Sequence, residues 1–287
     1  MSKFVYFGTP YVARDTLEKL VGAGYTPSLV ITSPDSLKGR GLTLTPCETK
    51  SWAIEHGIPV LSPAALDEET IKEIAAYGCA YGIAVAYGKI IPQALIDAFP
   101  KGILNVHYSL LPKYRGASPV EMAIWNGDTV TGVTIQQMVF ELDAGDILSQ
   151  KEMAIDPADT TLTLRPKLIT LGADLLIQTL PSFIDGSVAP TPQDASQATR
   201  AKKIKKEEGE LFLSDDSRIN LQNWNTYRAL RESPGTYFFA EKEGKRIRVK
   251  ITDATFKNGS FQILRIIPEG KSEQDFTWLA QTGWSVS

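Results

Sequence analysis

Short apolar runs alternate with amphipathic stretches through the first half of the chain. Lys3-Phe4-Val5-Tyr6-Phe7 predicts a buried strand that ends at the turn Gly8-Thr9-Pro10, and apolar positions then recur at helical spacing up to Gly22. The next predicted elements are a strand at 28–32, a polar loop at 33–46, helices at 47–56 and 67–77, and strands at 83–86 and 103–107. This order is typical of βαβ units, so the predicted fold class is α/β, a doubly wound parallel sheet.

The second half predicts a different kind of domain. Ser118-Pro119-Val120-Glu121 has a capping residue, a proline at the first helical position and an acid, which together predict a helix start. The following predicted elements are a strand at 132–138, its hairpin partner at 147–155, a helix at 161–183, and strands at 237–240, 246–251 and 261–267. A stretch rich in Pro, Ser and Ala precedes the last three strands. We therefore expect an α/β domain over 1–186, a linker over 187–206 and a small antiparallel barrel over 207–287.

Charge and cysteine content exclude several classes of protein. The net charge is −3, yet residues 200–287 carry 16 Lys and Arg against 12 Asp and Glu, which indicates either a polyanion partner or a solvated charged surface. Two cysteines and two histidines, scattered along the chain, argue against a disulfide framework and a metal site. No signal segment and no uninterrupted apolar stretch of ~18 residues is present, so we expect a cytoplasmic protein without a membrane partner.

Phosphate-binding motifs are missing from the expected places. The first strand-to-helix turn reads FGTP rather than G-x-G-x-x-G, and no P-loop occurs, so this topology does not by itself predict a nucleotide. Gly39-Arg40-Gly41 places a guanidinium at the tip of a loop, which is typical of a solvated turn and also suits a phosphate contact.

Polar residues cluster at predicted strand ends. Asn105 and His107 alternate at the end of the strand at 103–107 and project to the same side, and Asp143 lies in the loop LDAGD. Each of the three could be structural, as a strand-end or turn residue. Together a carboxamide, an imidazole and a carboxylate at the carboxyl edge of an open sheet suit acyl transfer to an amine, with direct attack rather than an acyl-enzyme.

These motifs resemble those of the methionyl-tRNA formyltransferases. The matching stretches are FGTP, PDSLKGRGLTLTP, AVAYGKIIP, NVHYSLLPKYRGASP, GVTIQQM, LDAGDIL, AKKIKKEE and IPEGK. The resemblance implies a Rossmann-like formyltransferase domain followed by an OB-like barrel that helps to bind tRNA. It implies 10-formyltetrahydrofolate as the formyl donor and initiator methionyl-tRNA as the acceptor. The scattered histidines and cysteines predict no metal, and nothing in the sequence demands more than a monomer.

The resemblance also implies residue roles. Asn105, His107 and Asp143 occupy the catalytic positions, where the first two would stabilise a tetrahedral oxyanion and Asp143 would orient His107 and help to remove the amine proton. The implied folate contacts are Ala86, Tyr87, Gly88, Ser109, Leu110, Leu111, Pro112 and Leu142. The implied tRNA contacts are Lys38, Arg40, Lys113, Arg115, Lys203 and Lys206. Lys113 and Arg115 would suit either the anionic folate tail or the tRNA acceptor end.

Two rival functions remain open at this point. The same chemistry could formylate an amino sugar nucleotide or glycinamide ribonucleotide, although neither substrate explains the C-terminal barrel. A protein of another class, a non-catalytic RNA-binding protein, is disfavoured by the intact set of Asn105, His107 and Asp143. The loop at 33–46 is less basic than is usual in the family, because Leu42, Thr43 and Leu44 follow Gly41.

Overall fold

The computed structural model describes residues 2–38 and 42–286. Arg40, a predicted tRNA contact, lies outside the described residues. The strands up to residue 201 are β1 (Phe4–Gly8), β2 (Leu29–Ile31), β3 (Ser36–Lys38), β4 (Thr43–Thr45), β5 (Val60–Leu61), β6 (Tyr81–Val85), β7 (Ile103–His107), β8 (Arg115–Gly116), β9 (Val130–Gln137), β10 (Ile147–Ala154) and β11 (Arg200–Ala201). The helices of the same part are α1 (Tyr11–Gly22), α2 (Glu48–Glu55), α3 (Glu68–Ala75), α4 (Gln93–Asp97), α5 (Pro119–Trp125) and α6 (Thr161–Asp185).

A mixed sheet organises this part of the described chain. Its strand order is β10-β9-β7-β6-β1-β2-β5, and the pairs from β7 to β5 are parallel. Every residue of β1 and β6 is buried, as expected for central strands covered on both faces. β9 runs antiparallel to β7, so the predicted α/β fold is confirmed with an antiparallel extension beside the strand that carries Asn105 and His107.

One local prediction is wrong, and a second is confirmed without the side-chain cap. The polar loop predicted at 33–46 contains the antiparallel pair β3 and β4, because apolar and hydroxyl side chains alternate there and place Leu37 opposite Leu44. Helix α5 begins with Pro119 as predicted, but the side chain of Ser118 makes no capping hydrogen bond. The acid of the predicted capping motif, Glu121, instead forms an ion pair with Arg165.

Two compact units divide the described residues. The first holds the chain up to Gly116 together with Gly132–Met153 and Pro166–Arg200, and the second holds Ala117–Thr131, Ala154–Arg165 and the described chain from Ala201 onward. The predicted boundaries at 186 and 206 stay a prediction. The segment predicted as a linker contains a short 3-10 helix, Ala195–Gln197, and β11.

The C-terminal part forms an antiparallel β domain. Its elements are α7 (Ser217–Leu230), β12 (Thr236–Lys242), β13 (Lys245–Lys257), β14 (Ser260–Pro268), β15 (Gln274–Asp275), α8 (Trp278–Gln281) and β16 (Ser285–Val286). The three predicted strands correspond to β12, β13 and β14, which pair in sequence order. A small antiparallel domain is thus confirmed, whereas its description as an OB-like barrel stays a prediction.

Helix α7 was not predicted from the sequence. Its buried side chains include Asn220, Asn223 and Asn225, which are poor helix formers and hide the apolar periodicity. Asn220 and Asn223 donate to the backbone carbonyls of Ser214 and Phe212, so their burial is compensated by hydrogen bonds.

Helix α6 is long and apolar enough to cross a membrane by length and composition alone. Half of its most apolar window is buried inside the protein, and the core helices of soluble proteins pass the same test. This feature is therefore weak evidence for a membrane span.

Candidate active site

The pairing of β7 with β9 assembles the floor of the site. Asn105 lies directly opposite Gln136 across these antiparallel strands, and His107 lies opposite Thr134. Because side chains two residues apart share a face of a strand, Asn105 and His107 project to the same side, as the sequence predicts. Gln136 enters this face from the neighbouring strand and was not among the predicted site residues.

Asp143 lies at the centre of the polar groups. Its Oδ1 accepts hydrogen bonds from Asn105 Nδ2 at 3.2 Å and Gln136 Nε2 at 2.9 Å, and its Oδ2 accepts one from the backbone N–H of Gly116 at 2.8 Å. The carboxylate side chain is only 9% exposed. The structure therefore brings the predicted Asn105, His107 and Asp143 together, and we call these three residues the polar cluster.

His107 has two different neighbours on its two ring nitrogens. Nε2 lies 2.9 Å from the carbonyl oxygen of Tyr114, which can only accept, so Nε2 carries the hydrogen. Nδ1 lies 3.6 Å from Asp143 Oδ2, which is longer than a hydrogen bond. The Tyr114 carbonyl, rather than Asp143, thus sets the ring orientation in this structure, because Nδ1 without a hydrogen and the Asp143 carboxylate oxygen are both acceptors.

Left-handed backbone is concentrated around the cluster. Ala86, Tyr114 and Asp143 have φ values of +45°, +61° and +52°, which residues other than glycine rarely adopt. Ala86 directly follows β6, whose strand is paired with β7. Such conformations cost about 1–3 kcal/mol each and are often found at functional sites.

A mostly apolar cavity of about 310 Å³ adjoins the cluster. Its lining residues are Lys89, Ile90, Ile91, Gln136, Met138, Val139, Phe140, Leu142 and Asp143. Ile90, Phe140 and Leu142 are exposed large apolar side chains. Asp143 is part of the same lining, so a ligand in this cavity would lie next to the polar cluster.

The predicted folate contacts divide into two groups. Leu142 lines the cavity, and Ala86 and Gly88 are exposed just before Lys89. The Tyr87 side chain instead points into the core, packs edge-on against Phe7 and has a buried hydroxyl without a hydrogen-bond partner among the described residues. Burial raises the pKa of Tyr87 to about 12.

The segment Ser109-Leu110-Leu111-Pro112 does not line this cavity. Ser109 and Leu111 are buried, and the Ser109 hydroxyl donates to the carbonyl of Lys113 at 2.6 Å. The Leu111 N–H donates to the Thr134 hydroxyl at 3.1 Å. These bonds support the loop that ends at Tyr114, so the observed contacts of Ser109 and Leu111 are structural.

The predicted tRNA contacts differ in the exposure of their side chains. Lys113, Lys203 and Lys206 are exposed. The Arg115 side chain is only 11% exposed, donates from Nε to Gln193 and lies 3.7 Å from Glu141. The side chain of Lys38 is outside the described residues.

An exposed cationic face lies on β12 and β13. Arg246 stacks 3.8 Å above the ring centre of Phe239, and Arg248 stacks 3.7 Å above that of Tyr237. Lys250 is exposed on the same side of β13, two residues further along. Alternation of Arg, Arg and Lys at 246, 248 and 250 was a sequence signal for this face, which we call the cationic face.

The cluster can support proton transfer and bind a developing negative charge. It offers carboxamide and imidazole N–H donors beside a carboxylate. Among residues 2–38 and 42–286, no group of three or more His, Cys, Asp and Glu side chains could hold a metal ion.

Comparison with known proteins identifies the family. The model of the formyl transferase family matches residues 2–180. The methionyl-tRNA formyltransferase of Geobacillus thermodenitrificans is 42% identical over 238 residues, which cover 83% of this chain and 74% of that protein. This chain belongs to the methionyl-tRNA formyltransferase family. The family expected from the sequence motifs is thereby confirmed.

Another relative agrees with this assignment, and a solved structure shares the fold. The methionyl-tRNA formyltransferase of Heliobacterium modesticaldum is 40% identical over 247 residues, covering 86% of this chain and 77% of that protein. A solved N-formyltransferase from Helicobacter canadensis, in complex with folinic acid and dTDP-3-aminofucose, shares the fold with a TM-score of 0.66. It is only 18% identical, and the match covers 90% of this chain and 89% of that chain. The same fold therefore also occurs in a formyltransferase that was solved with an amino sugar nucleotide.

Proposed function

We propose that this member of the methionyl-tRNA formyltransferase family transfers the formyl group of 10-formyltetrahydrofolate to the α-amine of initiator methionyl-tRNA. The observation that carries the proposal is the convergence of Asn105, His107 and Asp143 beside an apolar cavity. The identity of 42% to a methionyl-tRNA formyltransferase supports the acceptor.

The reaction proceeds by direct attack of the amine on the formyl carbon. A C–N bond forms to the methionyl nitrogen, and the bond from the formyl carbon to N10 of the folate breaks after a tetrahedral oxyanion has formed. The amine loses one proton, and N10 gains one, so the products are formylmethionyl-tRNA and tetrahydrofolate. No protein nucleophile is required.

Asn105 stabilises the oxyanion. One hydrogen of its Nδ2 is bound to Asp143 Oδ1, and the second remains for the formyl oxygen because a carboxamide nitrogen has two donors. Since Asp143 holds this amide in place before substrate arrives, the donor needs little reorganisation in the transition state.

His107 and Asp143 handle the proton. The Nε2–H of His107 donates to the Tyr114 carbonyl, and the formyl oxygen competes for the same hydrogen. The amine proton passes to the pair formed by Nδ1 of His107 and Oδ2 of Asp143. Their 3.6 Å separation needs to shorten by only a few tenths of an ångström to become a hydrogen bond, and such bonds often tighten when substrate binds.

The folate ring binds in the cavity beside Leu142 and Asp143. Ile90 and Phe140 cover its faces, and Ala86 and Gly88 supply backbone at its edge. Tyr87, Ser109 and Leu111 are buried, so their side chains support the structure around the site and do not contact the folate.

Exposed cations hold the tRNA. Lys203, Lys206 and the cationic face are accessible to a phosphate backbone, and the stacked guanidiniums of Arg246 and Arg248 are suited to bidentate phosphate contacts. Lys38, Arg40 and Lys113 complete the proposed tRNA contacts, while Arg115 acts inside the site. The protein works in the cytoplasm as a monomer, without a membrane partner.

A comparison of three acceptors tests this proposal. Purified protein and 10-formyltetrahydrofolate are incubated with methionyl-tRNA, an amino sugar nucleotide or glycinamide ribonucleotide, and the formylated product is identified by mass spectrometry. We expect formylation of methionyl-tRNA alone. Preferential formylation of either small amine would overturn the assigned acceptor, and transfer to none of the three would overturn the activity.

A further inference from the structure

Gln193 holds the turn that carries Asp143. Its Nε2 donates to the carbonyl oxygens of Asp143 at 2.9 Å and Gly145 at 2.7 Å, which uses both hydrogens of the amide. The turn needs such support because Asp143 adopts φ +52°. Arg115 Nε in turn donates to Gln193 Oε1 at 3.0 Å, so the amide is fixed from both ends.

The same segment also holds the loop that orients His107. Thr199 accepts the N–H of Tyr114 on its hydroxyl at 2.8 Å and the N–H of Arg115 on its carbonyl at 2.8 Å. The Tyr114 carbonyl is the partner of His107 Nε2. At its start the segment is anchored to the sheet by two backbone hydrogen bonds between Thr191 and Ile147, each 2.8 Å long.

We propose that residues 191–199 form a strap that sets the distance between His107 and Asp143, with Gln193 as its principal positioning residue. This inference rests on the proposed function of the polar cluster. The segment was predicted to be part of a linker, yet it supports one partner of the cluster through Gln193 and the other through Thr199. Proton transfer needs its groups held within about 0.5 Å of the productive geometry. The loss of either support therefore lowers kcat and has a smaller effect on substrate binding.

Two substitutions of Gln193 separate its donors from its bulk. Gln193→Ala removes all its hydrogen bonds, and Gln193→Glu keeps the shape and the acceptor for Arg115 but has no hydrogen to give the two carbonyls. We expect kcat to fall about 10- to 100-fold in both, with KM for each substrate within about twofold of wild type. Gln197→Ala, an exposed glutamine of the same segment, serves as the control and should retain wild-type kcat.

Thr199 gives a second test that does not depend on Gln193. Thr199→Val loses the acceptor for the Tyr114 N–H, whereas Thr199→Ser keeps it. We expect Thr199→Val to lower kcat about tenfold and Thr199→Ser to restore most of it. Retention of wild-type kcat by both Gln193→Glu and Thr199→Val would overturn the strap.

The imidazole nitrogens provide a readout apart from activity. Only His56 and His107 are present, so their ¹⁵N resonances can be assigned in the full chain. We expect the His107 resonances to shift in Gln193→Ala and Thr199→Val, with those of His56 unchanged. Unshifted His107 resonances would contradict the strap. A wild type that formylates no methionyl-tRNA would contradict the proposed function instead, whatever the strap variants show.

Discussion

The polar cluster and the cationic face use polar side chains in opposite ways. In the cluster, Asp143 is nearly buried and accepts hydrogen bonds from three N–H groups, so the position of its carboxylate is fixed before any substrate binds. On the cationic face, Arg246 and Arg248 lie in solvent and stack on rings, and Arg246 also pairs with Glu241 at 3.8 Å. The first arrangement suits chemistry at one atom, and the second suits adjustable contact with a polyanion. Changes in the cluster should therefore alter kcat, and changes on the face should alter salt-dependent binding.

Removal of the imidazole should have the largest effect. His107→Ala is expected to lower kcat about 10²–10⁴-fold, because an oxyanion donor and a proton acceptor are lost together. Single-turnover formylation of methionyl-tRNA measures this step. His56→Ala is the matched control, since His56 is exposed and stacks on Trp52 outside the cluster. Activity of His107→Ala within about twofold of wild type would remove His107 from the mechanism.

A backbone change in the same region should damage stability as well as turnover. A Cβ added at Gly145 would lie 1.7 Å from the carbonyl oxygen of Gln137, so the turn after Asp143 would have to move. We expect Gly145→Ala to reduce the free energy of unfolding by about 1–3 kcal/mol, measured by urea denaturation. Gly22→Ala has no atom within 4 Å at the end of α1 and should stabilise by about 0.5–1 kcal/mol. Equal stabilities of the two variants would contradict a tightly packed turn.

The cationic face should respond in binding alone. Arg248→Ala is expected to raise KM for methionyl-tRNA about fivefold and to reduce the salt slope of binding by about one, with kcat unchanged. Arg248→Lys keeps the charge and loses the planar stack, so it should rescue only in part. Arg265→Ala is the control, because Glu273 and Asp275 already pair with Arg265. An unchanged KM and salt slope in Arg248→Ala would exclude this face as a tRNA contact.

Substitution of Tyr87 should have the smallest effect, although its neighbours in the sequence, Ala86 and Gly88, are proposed folate contacts. Tyr87→Phe removes a buried hydroxyl without a partner, so stability at neutral pH should change by less than about 1 kcal/mol and KM for the folate should not change. Burial raises the folded pKa of Tyr87 to about 12, above the usual value near 10, so the neutral phenol contributes stability below pH 10 that is lost as pH rises towards 12. Urea unfolding at several alkaline pH values should show a shallower decline in Tyr87→Phe. A steeper decline, or a raised folate KM, would count against a core position for this side chain.

Local patterns predicted the part of the site that depends on one strand and its end. Asn105 and His107 share a face because of strand alternation, and Asp143 follows the next strand in a turn-forming sequence. The motifs were specific enough to identify the family before the fold was known. The α/β class followed from the alternation of strands and helices.

The remaining parts depend on pairings that are distant in sequence. Gln136 joins the cluster only because β9 runs antiparallel beside β7, and Gln193 reaches it from a segment whose composition is that of a linker. Helix α7 was missed because its buried asparagines replace the apolar pattern. The sequence also could not tell that Tyr87 turns into the core, since a strand end permits either direction.

The most direct test is to follow the formyl group itself. Protein is mixed with isotopically labelled 10-formyltetrahydrofolate, first alone and then with methionyl-tRNA, and both the intact protein and the aminoacyl product are weighed by mass spectrometry. Direct transfer predicts an unmodified protein in the first mixture and labelled formylmethionyl-tRNA in the second, with the labelled product forming about 10²–10⁴-fold more slowly in His107→Ala. A formylated protein, or a label that never reaches the methionyl amine, would contradict it.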